Sequence, residues 1–303
     1  GAINLVTRKP TAAFESELQV GSMLGRDAHY DGWNGYARIG TRQERFYAQV
    51  SGSFQDRDGW PLSGDFRPTS IENGGERNGS ASRDSRVNAK LGFVPNDTDE
   101  YSLSYTRQQG RKGAPLHVNN NPPVPGNSYW TWPWWDIENL YWLSNTRIGE
   151  AGYFKTRVFY NNFENALHAR GDPPHATQAL NGPFQSLYDD DGYGGSIEVG
   201  LPLLPRSTTR ISAHYRRDRH VEFNINRPTS ATFRNIEPQQ TTREETWSLA
   251  VENSFAASDS IEFRAGASYD SNEILVAQEF SSARGLYANP IGGSHSLNGQ
   301  AAV

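Results

Sequence analysis

Apolar and polar residues alternate along most of this chain, in about eleven stretches set at nearly even intervals. In FESELQVGS, Phe14, Leu18 and Val20 fall on one side, and Glu15, Glu17 and Gln19 on the other. FYAQVSGSF sets Phe46, Ala48, Val50 and Phe54 against Tyr47, Gln49, Ser51 and Gln55. RVNAKLGF sets Val87, Ala89, Leu91 and Phe93 against Arg86, Asn88 and Lys90. The same period runs through WNGYARIG (Trp33–Gly40), YSLSYT (Tyr101–Thr106), YFKTRVFY (Tyr153–Tyr160) and GSIEVGL (Gly195–Leu201). It returns in Ile211–Arg216, Trp247–Glu252 and IEFRAGASY (Ile261–Tyr269), while LYWLSNT (Leu140–Thr146) is ambiguous in phase. A period of two marks a β-strand with one apolar face, because successive side chains point to opposite sides.

The connections come in two lengths. TRQE (Thr41–Glu44), PNDT (Pro95–Thr98), IGEAG (Ile148–Gly152), PRST (Pro205–Thr208) and AASDS (Ala256–Ser260) are tight turns built from residues that favour chain reversal. The others run from Asp56 to Arg83, Gly110 to Trp135, Asn165 to Asp191 and Asn224 to Thr242, with a short first one near Gly25–Asp31. Structureless loops of such length count against a compact soluble domain. Here they all fall at one end of the sheet, as in an outer-membrane barrel with short turns on one side and long loops on the other. The strands, at about 9–13 residues, also exceed the usual length in globular sheets. The pattern therefore predicts an all-β, antiparallel transmembrane β-barrel, of which about eleven strands are present.

Composition narrows this without changing it. Only 35% of the 303 residues are hydrophobic, and no run approaches the roughly 20 apolar residues of a spanning helix. That excludes a helical membrane protein but not a barrel, whose strands offer lipid only every second residue. Aromatic residues make up 12%, and 29 Gly and 17 Pro fit a chain of many turns. There is no cysteine, hence no disulfide and no thiolate metal site. The net charge of -5 argues against nucleic acid as a partner. Gly1 stands in what reads as the middle of a strand, and GGSHSLNGQAAV at the other end is expected to hold no terminal strand. Both ends read as cut from a longer protein.

The opening GAINLVTRKP (Gly1–Pro10) resembles the segment closing the plug domain of TonB-dependent outer-membrane receptors, commonly of the form GAINIVTKKP. The residues after it keep that family's order: a linker, a first barrel strand, and a third strand running into FQDRDGW (Phe54–Trp60). EYSLSYTRQQGRKGAP (Glu100–Pro115), YWTWPWWDIENLYWLSNTRIG (Tyr129–Gly149) and YDDDGYGGSIEVG (Tyr188–Gly200) are similar to stretches of iron-complex receptors in the same superfamily. The resemblance implies that residues 1–12 end a plug domain and its linker, and that 13–303 form the N-terminal half of a barrel of about twenty-two strands. It implies active uptake of a scarce ligand, a ferric siderophore or another metal chelate, energised through the TonB complex. Cobalamin, haem and oligosaccharide are alternative ligands for such a receptor. A passive porin-like channel and a soluble carbohydrate-binding β-protein are the competing classes.

No catalytic constellation is present: there is no phosphate loop, HExxH or G-x-S-x-G. No cofactor or metal site is expected. The run Asp189, Asp190, Asp191 lacks the spaced ligands and distal Glu of a calcium loop and reads as a solvated acidic loop. His214 to His220, with Arg216, Arg217 and Arg219 between, forms a basic cluster. Arg217, Arg219 and His220 are candidates for holding an anionic chelate, but pairing with acidic residues of plug or wall is the reading the cluster favours. In YWTWPWWD, Tyr129, Trp130, Trp132 and Trp134 suit a membrane-interface girdle, or stacking on a flat ligand if they face the other way. Pro133 is expected to break the ladder where strand passes into loop. His117, in the preceding connection, completes the substrate-contact candidates. Lys90, Lys155, Arg157, Glu198, Glu252, Glu262 and Arg264 fall on the polar side of their strands, too costly to face lipid. They are expected to line the wall that meets the plug.

Overall fold

A computed structural model describes residues 8–25, 28–69, 71–116, 129–170 and 184–302. It contains fourteen strands in a single sheet: β1 (Glu15–Leu24), β2 (Tyr30–Arg42), β3 (Phe46–Arg57), β4 (Ser82–Phe93), β5 (Glu100–Ala114), β6 (Tyr129–Ile148) and β7 (Gly152–Arg170). Then come β8 (Phe184–Leu201), β9 (Ser207–Asn226), β10 (Asn235–Ile236), β11 (Gln240–Ala256), β12 (Glu262–Ser281), β13 (Gly285–Ala288) and β14 (Gly293–Ala302). Each long strand pairs antiparallel with the next, β9 pairing with β11, and no helix among the described residues is long and apolar enough to cross a membrane. The eleven expected strands are all present, as β1–β9, β11 and β12.

Register explains the alternation. Residues paired across an antiparallel ladder share a face. Ile39 pairs with Val50, Val50 with Ala89, Ala89 with Tyr105, Tyr105 with Leu140, Leu140 with Tyr160 and Tyr160 with Tyr193. Ala213 carries the band on from Ile197 to Leu249, which faces Tyr269. This apolar face is bare: Leu18, Val20, Ile39, Val50, Leu91, Val158, Ile197, Ile211, Leu249 and Val251 are 46–76% exposed. Arg38, Ser51, Lys90 and Ser102, on the other face, are buried at 9% or less. A soluble protein would bury the first set and expose the second. In the ambiguous segment, Leu140 and Trp142 join the apolar face, and Leu143 takes the polar one beside Ser102 and Arg157.

Three sequence expectations change. The last residues do form a strand: β14 pairs with β12 from Arg264–Ala302 to Glu273–Gly293, and every residue of it is exposed at the sheet edge. Its polar, glycine-rich sequence carries no alternation to betray it. Asp189, Asp190 and Asp191 lie within β8, not in a loop. Pro133 stays inside β6, where the ladder to β7 slips between Thr131 and Trp134 instead of ending. In each of the last two cases the strand outlasts the pattern. β6, β9 and β12 reach 20 residues, roughly 66 Å of strand at about 3.3 Å per residue, where about 9–11 tilted residues suffice to cross a bilayer.

At the short-turn end, two tyrosines on the polar face lie flat over glycines of the neighbouring strand. Tyr47 pairs with Gly92, and Tyr153 with Gly200. A Cβ at either glycine would fall within the opposing ring. Tyr47 OH donates to Glu100 Oε1 at 2.6 Å, and Tyr153 OH to Glu198 Oε1 at 2.6 Å. The segment before β1 docks on the same spot: Lys9 Nζ lies 2.6 Å from both Glu100 oxygens, Pro10 is buried against Gly40, and Arg42 N donates to Ala12 O. Gly92→Ala should displace the Tyr47 ring and cost about 1–3 kcal/mol, the usual range for overpacking. Urea unfolding followed by tryptophan fluorescence measures it; an unchanged midpoint would show that the ring is not held by this glycine.

Candidate functional site

At the long-connection end of the polar face, five strands bring one side chain or more into a continuous row. The bulge at Pro133 turns Trp130, Trp132 and Trp135 to this face: Trp130 pairs with Ala114, Trp132 with Lys112, and Trp135 with Asn165. Trp130 and Trp132 meet edge-on at 6.3 Å between centroids, and Trp132 and Trp135 at 6.2 Å. Lys112 Nζ of β5 lies 3.8 Å from the centroid of Trp135 and 5.0 Å from that of Trp132, within cation–π range. Trp135 meets Phe163 of β7 at 5.0 Å. Phe163 pairs with Asp190 of β8, whose Oδ1 lies 2.5 Å from His220 Nδ1 of β9. His220 also approaches the Tyr188 ring at 5.8 Å. The row therefore runs from a lysine, across three indoles and a phenyl ring, to a carboxylate–imidazole pair. Such a surface can stack flat groups and hydrogen-bond at its polar ends.

The candidates from sequence are divided by this geometry. Trp130, Trp132 and His220 lie on the row. Trp134 points to the other face, where it meets His168 at 6.0 Å, because the bulge breaks the simple two-residue period. Arg217 and Arg219 share the face of Tyr193 and Tyr215, opposite His220. Both are paired: Arg217 with Glu245 at 3.2 Å, Arg219 with Asp191 at 2.6 Å and Asp189 at 3.0 Å. The acidic run that read as a loop supplies both partners of Arg219, and β11 supplies that of Arg217. His117 and the Tyr129 side chain lie outside the described residues.

The seven wall charges do share the polar face, and much of their charge is met within the sheet. Lys155 pairs with Glu198 at 3.5 Å, Arg264 with Glu262 at 2.5 Å, and Glu252 accepts from Arg210 at 2.9 Å. Arg157 lies over the Tyr141 and Phe159 rings, and Lys90 is buried. Arg210 escaped the sequence reading because no acidic neighbour in sequence marks it; its partner is 42 positions away.

Also missed was a group at the β1–β2 tip, where His29, Asp31 and Glu76 bring ligand-type atoms within 4.8 Å of one another. Glu76 stands above the usual carboxylate range, first through burial and then through the Asp31 and Asp58 charges. Asp31 and Glu76 are far apart along the chain and belong to no spaced motif.

Besides Trp134, other aromatic residues gather on the apolar face. On the apolar face, Tyr160 pairs with Tyr193, Tyr193 meets Tyr215 at 6.4 Å, and Tyr215 meets Trp247 at 4.4 Å. Lower down, Phe93, Tyr101 and Trp142 lie 6.2–6.3 Å apart in sequence of strands.

An antiparallel wall with an apolar outside, two aromatic rows and a polar inside is one side of an outer-membrane-type β-barrel. No protein-family model and no curated protein matches the chain. Solved structures do match. The copper transporter OprC aligns over 97% of this chain and 43% of its own, with a TM-score of 0.66 at 12% identity. The ferric yersiniabactin uptake receptor FyuA from Yersinia pestis aligns over 97% and 45%, with 0.69 at 12%. The FrpB iron transporter from Neisseria meningitidis aligns over 94% and 44%, with 0.60 at 12%. The chain thus has the barrel fold of TonB-dependent outer-membrane receptors and spans less than half the length of these three.

The two faces can be told apart by their tryptophans. In single-tryptophan variants reconstituted into lipid with brominated acyl chains, Trp142 and Trp247 should be strongly quenched and Trp132 and Trp135 spared. Equal quenching of all four would contradict the assignment of faces.

Proposed function

We propose that this chain is the first part of the barrel of a TonB-dependent outer-membrane receptor, which captures a scarce ligand and takes it up with energy from the inner membrane. Residues 1–12 then end the plug and its linker, and 13–303 form the wall around it. The ligand class that suits the wall best is a ferric siderophore or similar metal chelate with flat, electron-rich groups. The observation that carries this reading is the row Lys112–Trp132–Trp135–Phe163–Asp190–His220 on the polar face at the long-connection end. Aromatic faces and a cation there suit a chelate that is both planar and anionic. OprC, FyuA and FrpB are described as carrying copper, ferric yersiniabactin and iron, which supports a metal or its chelate over a sugar.

In this reading Trp130, Trp132 and His220 contact the ligand, while Arg217 and Arg219 brace the outer side of the projecting strands. Lys90, Lys155, Arg157, Glu198, Glu252, Glu262 and Arg264 present a charge-balanced wall to the plug. The docking of Lys9 on Glu100 supports it, since the linker already runs along that wall.

The test is equilibrium binding of ferric catecholate and ferric hydroxamate complexes to the full-length protein in detergent, followed by tryptophan quenching. Trp132→Ala with Trp135→Ala should weaken binding of one of them about tenfold or more, as truncating a buried aromatic anchor costs roughly 2 kcal/mol. Uptake into cells should stop when the proton-motive force is collapsed. Unchanged affinity in the double variant would remove this row as the binding surface, and uptake without the proton-motive force would remove the energised receptor.

A further inference from the structure

The described residues hold one group with the composition of a metal site, and it lies apart from the aromatic row. β2 begins with a bulge: Met23 pairs with Gly32 but Leu24 with Tyr30, so Asp31 is squeezed out of the ladder. Asp31 is consequently turned inward and is only 2% exposed. Its Oδ1 has no hydrogen-bond partner, and neither has Oε1 of Glu76. A buried carboxylate oxygen left without a donor is costly, by about 1–3 kcal/mol or more for a charged group, and such exceptions call for an occupant.

The surroundings are shaped around these oxygens. Glu76 is held over Asp31 by a short ribbon within residues 58–81: Pro61 bridges Glu76, Arg77 N donates to Trp60 O at 2.9 Å, and Leu62 N to Gly75 O at 2.9 Å. The loop is tied to the hairpin by Asp58 N donating to Asp31 O at 2.9 Å. Two glycines leave the carboxylates room. A Cβ at Gly25 would collide with the Asp31 carboxylate, and one at Gly59 would come within 2.6 Å of Glu76 Oε2. His29 stands at the mouth, its ring exposed and its Nε2 3.8 Å from Glu76 Oε1.

We propose that His29, Asp31 and Glu76 bind a divalent first-row transition-metal ion of the zinc class, which fastens residues 58–81 to the β1–β2 tip. One imidazole and two carboxylates suit such an ion better than Ca²⁺ or Mg²⁺, which take oxygen donors alone. An ion about 2.0–2.2 Å from each donor needs them about 3.3–3.6 Å apart. The donor atoms now lie within 4.8 Å of one another, and modest side-chain rotations, for which exposed His29 has most room, close them to that spacing. The two carboxylates cancel the ion's charge. This site stands independently of the uptake reading.

The test uses the full-length protein in detergent, stripped with chelator, and calorimetric titration with Zn²⁺. One equivalent should bind. Asp31→Asn, Glu76→Gln and His29→Gln should each weaken it about tenfold or more, with Ca²⁺ in excess failing to compete. His29 is exposed, so His29→Gln keeps the fold and reports binding even if the buried variants do not. Absence of saturable Zn²⁺ binding, binding unaffected by His29→Gln, or displacement by Ca²⁺ would each overturn the assignment.

Discussion

Inside a bilayer no water is available to the peptide group, so every N–H and C=O must find its partner within the protein. The ladder that links β1 through β12, slipping only at a few bulges, answers that demand, and the rest of the structure depends on it. Because the ladder fixes register, one-residue slips would turn every side chain to the wrong face. The apolar band from Ile39 to Tyr193, and its continuation through Ile197, Ala213 and Leu249, is what that register produces. Asn253, a polar residue on the apolar face, is satisfied locally. It donates its amide to Ser207 at 2.7 Å and Thr209 at 2.9 Å.

The same ladder carries the strands past the aromatic rows into water, and there the two faces take different work. The apolar face becomes charged: Asp189, Asp191, Arg217, Arg219 and Glu245 pair across β8, β9 and β11. The polar face gathers the aromatic row between Lys112 and His220. A strand that leaves the lipid no longer needs a greasy side, and its outer surface can be stabilised by ion pairs instead. These pairs are partly exposed, so each contributes little alone; their value lies in keeping long strands paired beyond the membrane.

This boundary also separates what the sequence makes legible from what it hides. Within the crossing region, alternation such as Val87, Ala89, Leu91 against Arg86, Asn88, Lys90 reveals strand, phase and face together. Beyond it both faces meet water, the period of two disappears, and Asp189–Asp191 reads as a loop although it is a strand. Pro133 shows a second limit, since a bulge splits Trp132 from Trp134, which simple alternation keeps together. The contacts at Glu100 and at Asp31 join residues far apart in the chain, through docking of a linker and folding of a loop, and no local pattern announces them. GAINLVTRKP indicated the receptor class at the outset, but its first seven residues lie outside the described structure. The solved structures that align support the fold independently of it.

The central claim is that the exposed apolar face meets lipid while the polar face meets an aqueous interior. Spin labels placed one at a time from Trp247 to Ala256 along β11, in the reconstituted full-length protein, test it most directly. Accessibility to oxygen should peak at the positions of Trp247, Leu249 and Val251, and accessibility to a water-soluble nickel complex at those of Ser248, Ala250 and Glu252. Two profiles that rise and fall together, or a reversed phase, would contradict it.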